Sequence, residues 1–401
     1  MKVSHYELLF MKICLINNLY RPYSRGGAEV VVENIIFGLK KQGHDVFLIT
    51  LGRKDELENF EGLKIYRIKP TNISSFIDIN SRPVWLRLFW HPLDVFNFSS
   101  YLKVKKILQQ EKPEIIMTHN LKGIGFLIPK LIAKLNIKHV HTAHDVQLAR
   151  PSGLIIYGQE KPFLIIDKVY EKICRWLFGS PAVFVSPSEW LLKYYKVRGF
   201  FYFSQKAVLK NPVVKPQSAQ ELPQAHRYGD KVIFSYIGQL EASKGILFLI
   251  ETLKKLPTQN WELKIVGQGS IEQKLKQATD NDDRFKFYGY IKHSALAQIY
   301  HQTDLIVVPS FCYENSPSVI YESLSMGVPV IASDIGGIPE LVKDNYNGFT
   351  FEPGNEKNLA EVLSYFLKHH EVIADLKKNT QPSSPGLDID NYIKKLIGLL
   401  I

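Results

Sequence analysis

From Lys12 onward, short apolar runs alternate with stretches whose apolar residues recur at helical spacing. KICLIN (12–17), DVFLIT (45–50), EIIMTHN (114–120), HVHTAHD (139–145) and AVFVSPS (182–188) are β-branched or aromatic runs that end in polar residues. Such runs predict buried strands. Between the first two, Ala28–Gln42 sets Val30, Val31, Ile35 and Leu39 on one face, and Gly43 stops the helix. The alternation restarts after the Pro-rich stretch NPVVKPQSAQELPQ (211–224), with VIFSYIG, LKIVGQG, FKFYGY, DLIVVPS and VPVIAS. Strands alternating with helices predict an α/β protein: two domains with parallel sheets, each covered on both faces, and a cleft between them. Ligands of such sheets sit at the carboxyl ends of the strands. The expected division is residues 1–212, residues 213–385, and residues 386–401, an amphipathic helix packing back on the N-terminal domain. Met11 opens the first strand, so residues 1–10 read as an extra leader.

Composition sharpens this picture at one point. The 401 residues carry a net charge of +11, and residues 1–212 hold 31 basic against 17 acidic side chains. The first half is therefore strongly basic and the second slightly acidic, which points to an anionic partner for the first. The acidic second half and the lack of a nucleic-acid motif argue against nucleic acid. Three scattered cysteines, Cys14, Cys174 and Cys312, form no C-x-x-C and suit a reducing compartment. No apolar run approaches the roughly 20 residues of a membrane span, and MKVSHYELLF lacks the features of a secretory signal. A cytoplasmic protein is expected.

Candidate chemistry clusters at predicted strand ends. In PSFCYENSPSVIYESLSMGVPVIASDIGGIPE (309–340), Glu314 and Glu322 are separated by seven residues, and Ser316-Pro317-Ser318 has the composition of a capped helix start. Free amides at such a start bind anions. In YIGQLEASKGILFLIETL (236–253), Lys244 stands in a strand-to-helix loop beside Gly245, where an ammonium can meet a phosphate. VGQGS (266–270) has Glu272 where the dinucleotide fingerprint needs its third glycine, so it reads as a turn. Gly26-Gly27 begin a helix as a second candidate anion cradle. His119 and the pair His144-Asp145 end strands. His139, His141, His144 and Asp145 together also have the residue types of a zinc hydrolase, although their spacing is not that of the usual H-x-H-x-D-H.

GGAE near the start, G-x-L-x-x-x-K-G at 238–245, and the paired glutamates followed by G-x-P-V-x-A-S-x-x-G-G-x-P-E resemble the family 4 retaining glycosyltransferases, whose two Rossmann-like domains form the GT-B fold. The resemblance runs over nearly the whole chain from Met11. It implies that Glu322 holds the ribose hydroxyls of a nucleotide and that Glu314 faces the donor sugar. Amides around Ser316, Ser318 and Val319 would meet the diphosphate or hexose, with Lys244 on the diphosphate. Gly27 matches the N-domain loop that approaches the diphosphate, and His119 the histidine near the transferred sugar; His144 and Asp145 are acceptor-side candidates. The family's usual arginine is Gln239 here, which keeps donors but loses a charge.

The resemblance thus implies transfer of a hexose-type sugar from a UDP- or GDP-linked donor to a glycan or lipid-linked acceptor, with no metal and no other cofactor. Front-face attack, with the leaving phosphate taking the acceptor's proton, is the expected route. The alternatives are a catalytically silent sugar-nucleotide-binding protein and the zinc hydrolase. Two segments of the basic half, SRPVWLRLFWHPLDVFNF (81–98) and KYYKVRGFFYFSQK (193–206), mix aromatic with basic residues. They suit an anionic membrane surface, as a peripheral protein, or else their rings fill the core.

Overall fold

The computed structural model describes residues 10–23, 26–160, 165–213, 231–258, 260–381 and 387–400. The chain divides into two compact units, one of Met1–Gly153, Pro162–Pro212 and Leu387–Ile401, the other of Leu154–Lys161 and Val213–Gly386.

The strands of the first unit are β1 (Lys12–Ile16), β2 (Asp45–Leu51), β3 (Glu56–Phe60), β4 (Leu63–Ile68), β5 (Ile115–Thr118), β6 (Lys138–Thr142), β7 (Val183–Ser186) and β8 (Gln205–Val208). They form one sheet in the order β3-β4-β2-β1-β5-β6-β7-β8. Every pairing is parallel except β3 against β4. The central strand β1 is buried from Ile13 to Ile16, which is why it reads as a continuous apolar run. The hairpin of β3 and β4 has no counterpart in the predicted strands, because ELENF on the sheet edge is mostly polar. Helices α1 (Gly27–Lys41), α2 (Val84–Val95), α3 (Phe98–Glu111), α4 (Ile128–Lys134), α5 (Ile165–Phe178) and α6 (Glu189–Lys196) connect the strands, and β9 (Pro212–Val213) follows.

The second unit carries β10 (Val232–Ile237), β11 (Trp261–Val266), β12 (Phe285–Gly289), β13 (Leu305–Val308), β14 (Val330–Ser333) and β15 (Gly348–Phe351). Their order is β12-β11-β10-β13-β14-β15, parallel throughout. The helices are α7 (Ile246–Lys254), α8 (Glu272–Ala278), α9 (Leu296–His301), α10 (Ser318–Ser325), α11 (Glu356–Lys368) and α12 (His370–Thr380). Phe234, Trp261, Leu263, Leu305 and Phe366 fill one side of its core.

Two segments cross from one half of the sequence to the other. Helix α13 (Ile389–Gly398) buries Ile389, Tyr392, Ile393 and Leu396 in the first unit. It packs along α1, with Lys41 and Asp390 paired at 2.5 Å. Conversely, Leu154–Lys161 belongs to the second unit, whereas the sequence assigns it to an unbroken 1–212 domain. Ile156 bridges Cys312 in antiparallel fashion, the Tyr157 N–H donates to the Phe311 carbonyl at 2.8 Å, and the Tyr313 N–H donates to the Ile155 carbonyl at 2.9 Å. Among the described residues, no helix is long and apolar enough to cross a membrane.

Candidate functional site

In the second unit, four loops at the carboxyl ends of β10, β11, β13 and β14 are tied into one surface. After β10 comes a single 3-10 turn, Ala242–Lys244, and then α7. Gly245 joins them at φ +72°, where a Cβ would fall 1.7 Å from the Pro309 carbonyl oxygen; no side chain fits at this crossing. The loop after β13 is held against this turn because the Phe311 and Cys312 amides donate to the Ser243 carbonyl, at 2.9 and 3.2 Å. That contact brings Lys244 to Glu314. Lys244 Nζ and Glu314 Oε1 are 2.5 Å apart, and the Ser310 hydroxyl donates to the same oxygen at 3.1 Å. Burial works against the Lys244 charge, but the Glu314 carboxylate outweighs it and pulls the lysine's pKa upward. Cys312, whose thiol burial pushes up to about 12, lies beside them as a protonated group.

The loop after β14 closes on Glu314 from the other side. Gly336, at φ +64°, would place a Cβ 2.2 Å from the Glu314 carbonyl oxygen, and the Gly337 N–H donates to that oxygen at 2.8 Å. These glycines lie in the sequence run already singled out, but nothing local shows that they brace Glu314. The VGQGS loop is more than a turn. Its Gln268 carbonyl accepts the Leu240 N–H at 2.9 Å, and Ser270 donates its amide and hydroxyl to Glu241. Gln239 lies exposed in the loop between them.

Helix α10 starts differently from the expected capped start. Pro317 is its N-cap and no side chain caps it; the Ser316 hydroxyl lies 2.5 Å from the Tyr321 hydroxyl instead. Ser318 and Val319 open the helix beyond it. Glu322, one turn in, is held by residues the sequence did not single out. The buried Tyr300 hydroxyl donates to Glu322 Oε2 at 2.9 Å, and His293 Nε2 lies 3.4 Å from Oε1. Tyr300 and His293 come from the α9 region, and no spacing along the chain connects them to Glu322.

The first unit's strand ends carry different chemistry. The His119 N–H donates to the Ile16 carbonyl at 2.9 Å, which fixes His119 between β1 and β5. Its Nδ1 is 2.9 Å from His144 Nε2, and the rings stack with centroids 5.2 Å apart. His119 Nε2 is buried with no hydrogen-bond partner among the described residues. Burial, with His144 and His141 nearby, holds the His119 pKa far below the ordinary value, and burial lowers His144 to about 4. Both are neutral imidazoles at ordinary pH. Asp145 takes no part in this pair. Its carboxylate accepts the Gln147 N–H at 2.8 Å, and burial raises it to about 6.

One alternative finds no support here, and one candidate cradle is narrowed. His139 and His141 do point to one face, but that face is the core: both meet the Thr118 hydroxyl, at 2.7 and 2.9 Å, and His141 packs among Phe178, Phe184 and Phe201. His144 is engaged with His119 instead. Among the described residues, no group of three or more potential ligands could hold a metal, so the zinc-hydrolase alternative finds no support. The glycine cradle at the start of α1 is also partly taken. Glu29 reaches back to accept the Gly26 N–H at 2.8 Å, leaving Gly27 as the first helical residue; Ser24 and Arg25 of that loop lie outside the described residues.

Comparison with known proteins agrees with both sheets. Residues 25–212 match the model of glycosyltransferase family 4, and residues 218–382 match that of glycosyl transferases group 1. A 42.6 kDa protein of the Klebsiella pneumoniae cps region is 28% identical over 338 residues, covering 82% of this chain and 87% of the relative. The lipopolysaccharide 1,2-N-acetylglucosaminetransferase of Salmonella typhimurium is 26% identical over 316 residues, 74% of this chain and 76% of its own. Among solved structures, Anabaena HepE in complex with UDP and glucose shares the fold at a TM-score of 0.70, with 19% identity over 97% of this chain and 99% of that one. Two parallel-sheet units of this topology, each matched by its own family model, make the chain a GT-B protein that belongs to the family 4 glycosyltransferases.

Proposed function

We propose that this glycosyltransferase moves a hexose-type sugar from a nucleotide-diphosphate donor, UDP- or GDP-linked, to a glycan or lipid-linked acceptor with retention at the anomeric carbon. The acceptor class takes support from the relatives named for a cps region and for lipopolysaccharide, and the donor class from the UDP and glucose bound to HepE. Within this chain, Lys244 is the observation that carries the reading. It is a half-buried ammonium at a strand end, held by Glu314, whose carboxylate also accepts from the Ser310 hydroxyl, beside the start of α10, which no side chain caps. A cation and amides fixed in advance stabilise a leaving diphosphate as charge develops on it. They supply that charge without a metal.

In the proposed step the bond from the anomeric carbon to the phosphate oxygen breaks, and its electron pair stays on the diphosphate. The acceptor hydroxyl attacks from the same face, and its proton passes to the departing phosphate oxygen. Glu314 faces the sugar and Glu322 the ribose hydroxyls, with Tyr300 keeping the Glu322 carboxylate in place. His119 is the histidine that the family resemblance sets near the transferred sugar, and as a neutral imidazole it can donate to or accept from a hydroxyl. The enzyme works as a peripheral protein on the cytoplasmic face of an anionic membrane.

Calorimetry and hydrolysis assays with a panel of UDP- and GDP-sugars, with and without chelator, test this. One donor is expected to bind and to be hydrolysed slowly in chelator. Binding without turnover would assign the chain to the silent class, for which the uncharged Gln239 is the rationale. Loss of turnover in chelator, restored by manganese or zinc, would overturn the metal-independent step.

A further inference from the structure

The exposed face of α2 runs against the usual distribution of side chains in a water-soluble protein. At 100° per residue, Trp85, Leu88, Phe89, Pro92, Leu93 and Phe96 fall on one stripe. That stripe faces solvent: Trp85 is 62% exposed, Leu88 68%, Phe89 64% and Leu93 50%. The opposite face anchors the helix. Trp90 is buried and donates its indole N–H to the Ser74 carbonyl at 2.7 Å, while the buried Asp94 carboxylate accepts the Gly123 N–H. Phe98 and Leu102 extend the apolar stripe onto α3 and are also exposed. The second aromatic segment is built differently. Its Tyr195, Phe200 and Phe201 fill the core, leaving Tyr202 and Phe203 at a turn.

Charge identifies what covers the α2 stripe. From Arg82 to Lys112 the chain holds six basic residues and two acidic ones. Both acids, Asp94 and Glu111, are buried, and Glu111 is neutralised by Lys12 and Lys64. Lys105 and Lys106 continue the outer side of α3 below Leu102 and make no ion pair among the described residues. Asp55, an exposed acid, is taken by Lys103, which leaves Lys105 and Lys106 as the cations beyond the outward apolar stripe; such a surface fits an anionic bilayer, where the rings enter the headgroup layer and the cations meet lipid phosphates. A protein partner or a second copy of this chain would have to bring its own acidic surface, and the first unit is net basic.

We infer that the outer face of α2, continued by Phe98, Leu102, Lys105 and Lys106, is the element that docks this enzyme on anionic membranes. The inference rests on the peripheral placement proposed above and names the surface responsible. The test is co-sedimentation with vesicles of phosphatidylglycerol and phosphatidylethanolamine in equal parts, against pure phosphatidylcholine, for the full chain and two double variants. The wild type is expected to bind the anionic vesicles and to release at high salt. Leu88→Asp with Phe89→Asp should lower binding by about tenfold or more, and Lys105→Glu with Lys106→Glu should lower it while removing its salt dependence. These positions are at or near the surface, so melting temperature and nucleotide-sugar affinity should stay unchanged in both variants, separating lost docking from lost folding or lost donor binding.

Failure of the wild type to bind either vesicle would overturn the peripheral placement and this inference together. Undiminished binding by the Leu88/Phe89 variant would overturn the inference alone. A concentration-dependent dimer that the same variant abolishes would give the stripe to a second copy and overturn it as well.

Discussion

The two sheets offer opposite electrostatics at their strand ends. In the second unit, a lysine and two glutamates stand at the carboxyl edge, each held by a specific neighbour and each partly open to solvent. In the first, the corresponding edge carries stacked imidazoles that burial keeps neutral. The contrast follows from depth. Lys244 keeps its proton because Glu314 meets it at a partly solvated loop, where pairing outweighs desolvation. His119 lies buried at the sheet edge, with no carboxylate acting on it among the described residues, so its neutral form is favoured. A reaction that expels a diphosphate needs fixed charge beside the leaving group, and of the two edges the second unit's is the one that carries it.

Removing Lys244 attacks the charged edge most directly. Lys244→Ala should lower transfer about 10²–10³-fold, the cost of deleting one preorganised charge-stabilising group. The melting temperature should change little, because Glu314 keeps its Ser310 hydrogen bond and its access to water. Steady-state rates with the verified donor decide the matter, and wild-type turnover would take Lys244 out of the mechanism.

Glu322→Ala is expected to weaken nucleotide binding by about 1.5–3 kcal/mol, as for hydrogen bonds to a charged group. Calorimetry with the free nucleoside diphosphate reads this without any chemistry. Unchanged affinity would leave Glu322 as a helix carboxylate satisfied by Tyr300 and His293.

The neutral edge and the histidines beneath it make a claim about pH. Burial holds His139 at about 3 and His144 at about 4, and keeps His119 and His141 far below the ordinary value. In the unfolded chain histidine titrates at about 6.5. Below about pH 6.5 the unfolded chain therefore binds protons that the fold refuses, and stability falls as pH drops toward 4. Asp94 and Asp145, raised by burial to about 7 and about 6, work the other way, but two carboxylates do not cancel four imidazoles. His139→Gln, which can still meet the Thr118 hydroxyl, should flatten the slope by about 1.4 kcal/mol per pH unit in this window. Urea midpoints for both proteins across that range are the measurement; parallel slopes would mean that His139 is protonated in the fold.

The smallest expected effect is the finest test of the charged edge. Tyr300→Phe removes only the hydroxyl that steadies Glu322, and should weaken nucleotide binding by about 0.5–1.5 kcal/mol while leaving turnover at saturating donor nearly unchanged. If turnover falls and affinity does not, Tyr300 does more than position a carboxylate.

Much of this was legible along the chain because it is local. Apolar runs ending in polar residues marked ten of the strands, and a Lys-Gly loop and two glutamates seven residues apart stood out as candidate chemistry. A histidine at a strand end and an amphipathic C-terminal helix were equally plain. The polar edge strand β3 escaped because a sheet edge needs no alternation of apolar and polar residues; β4, β8 and β15 were not among the runs singled out either.

The sequence by itself determined two α/β units and the strand ends at which their chemistry sits, since hydrophobic periodicity records which face of an element is buried. It does not record what that face meets. Only the tertiary structure joined Lys244 to Glu314 across 70 positions, set Tyr300 under Glu322, and drew Leu154–Lys161 onto the loop before Glu314. It alone assigned His139 and His141 to a core threonine rather than a metal, and turned the stripe of α2 outward. Each of these depends on a contact between residues far apart in the chain. Such contacts arise from sheet order and loop packing, which spacing along the sequence does not encode.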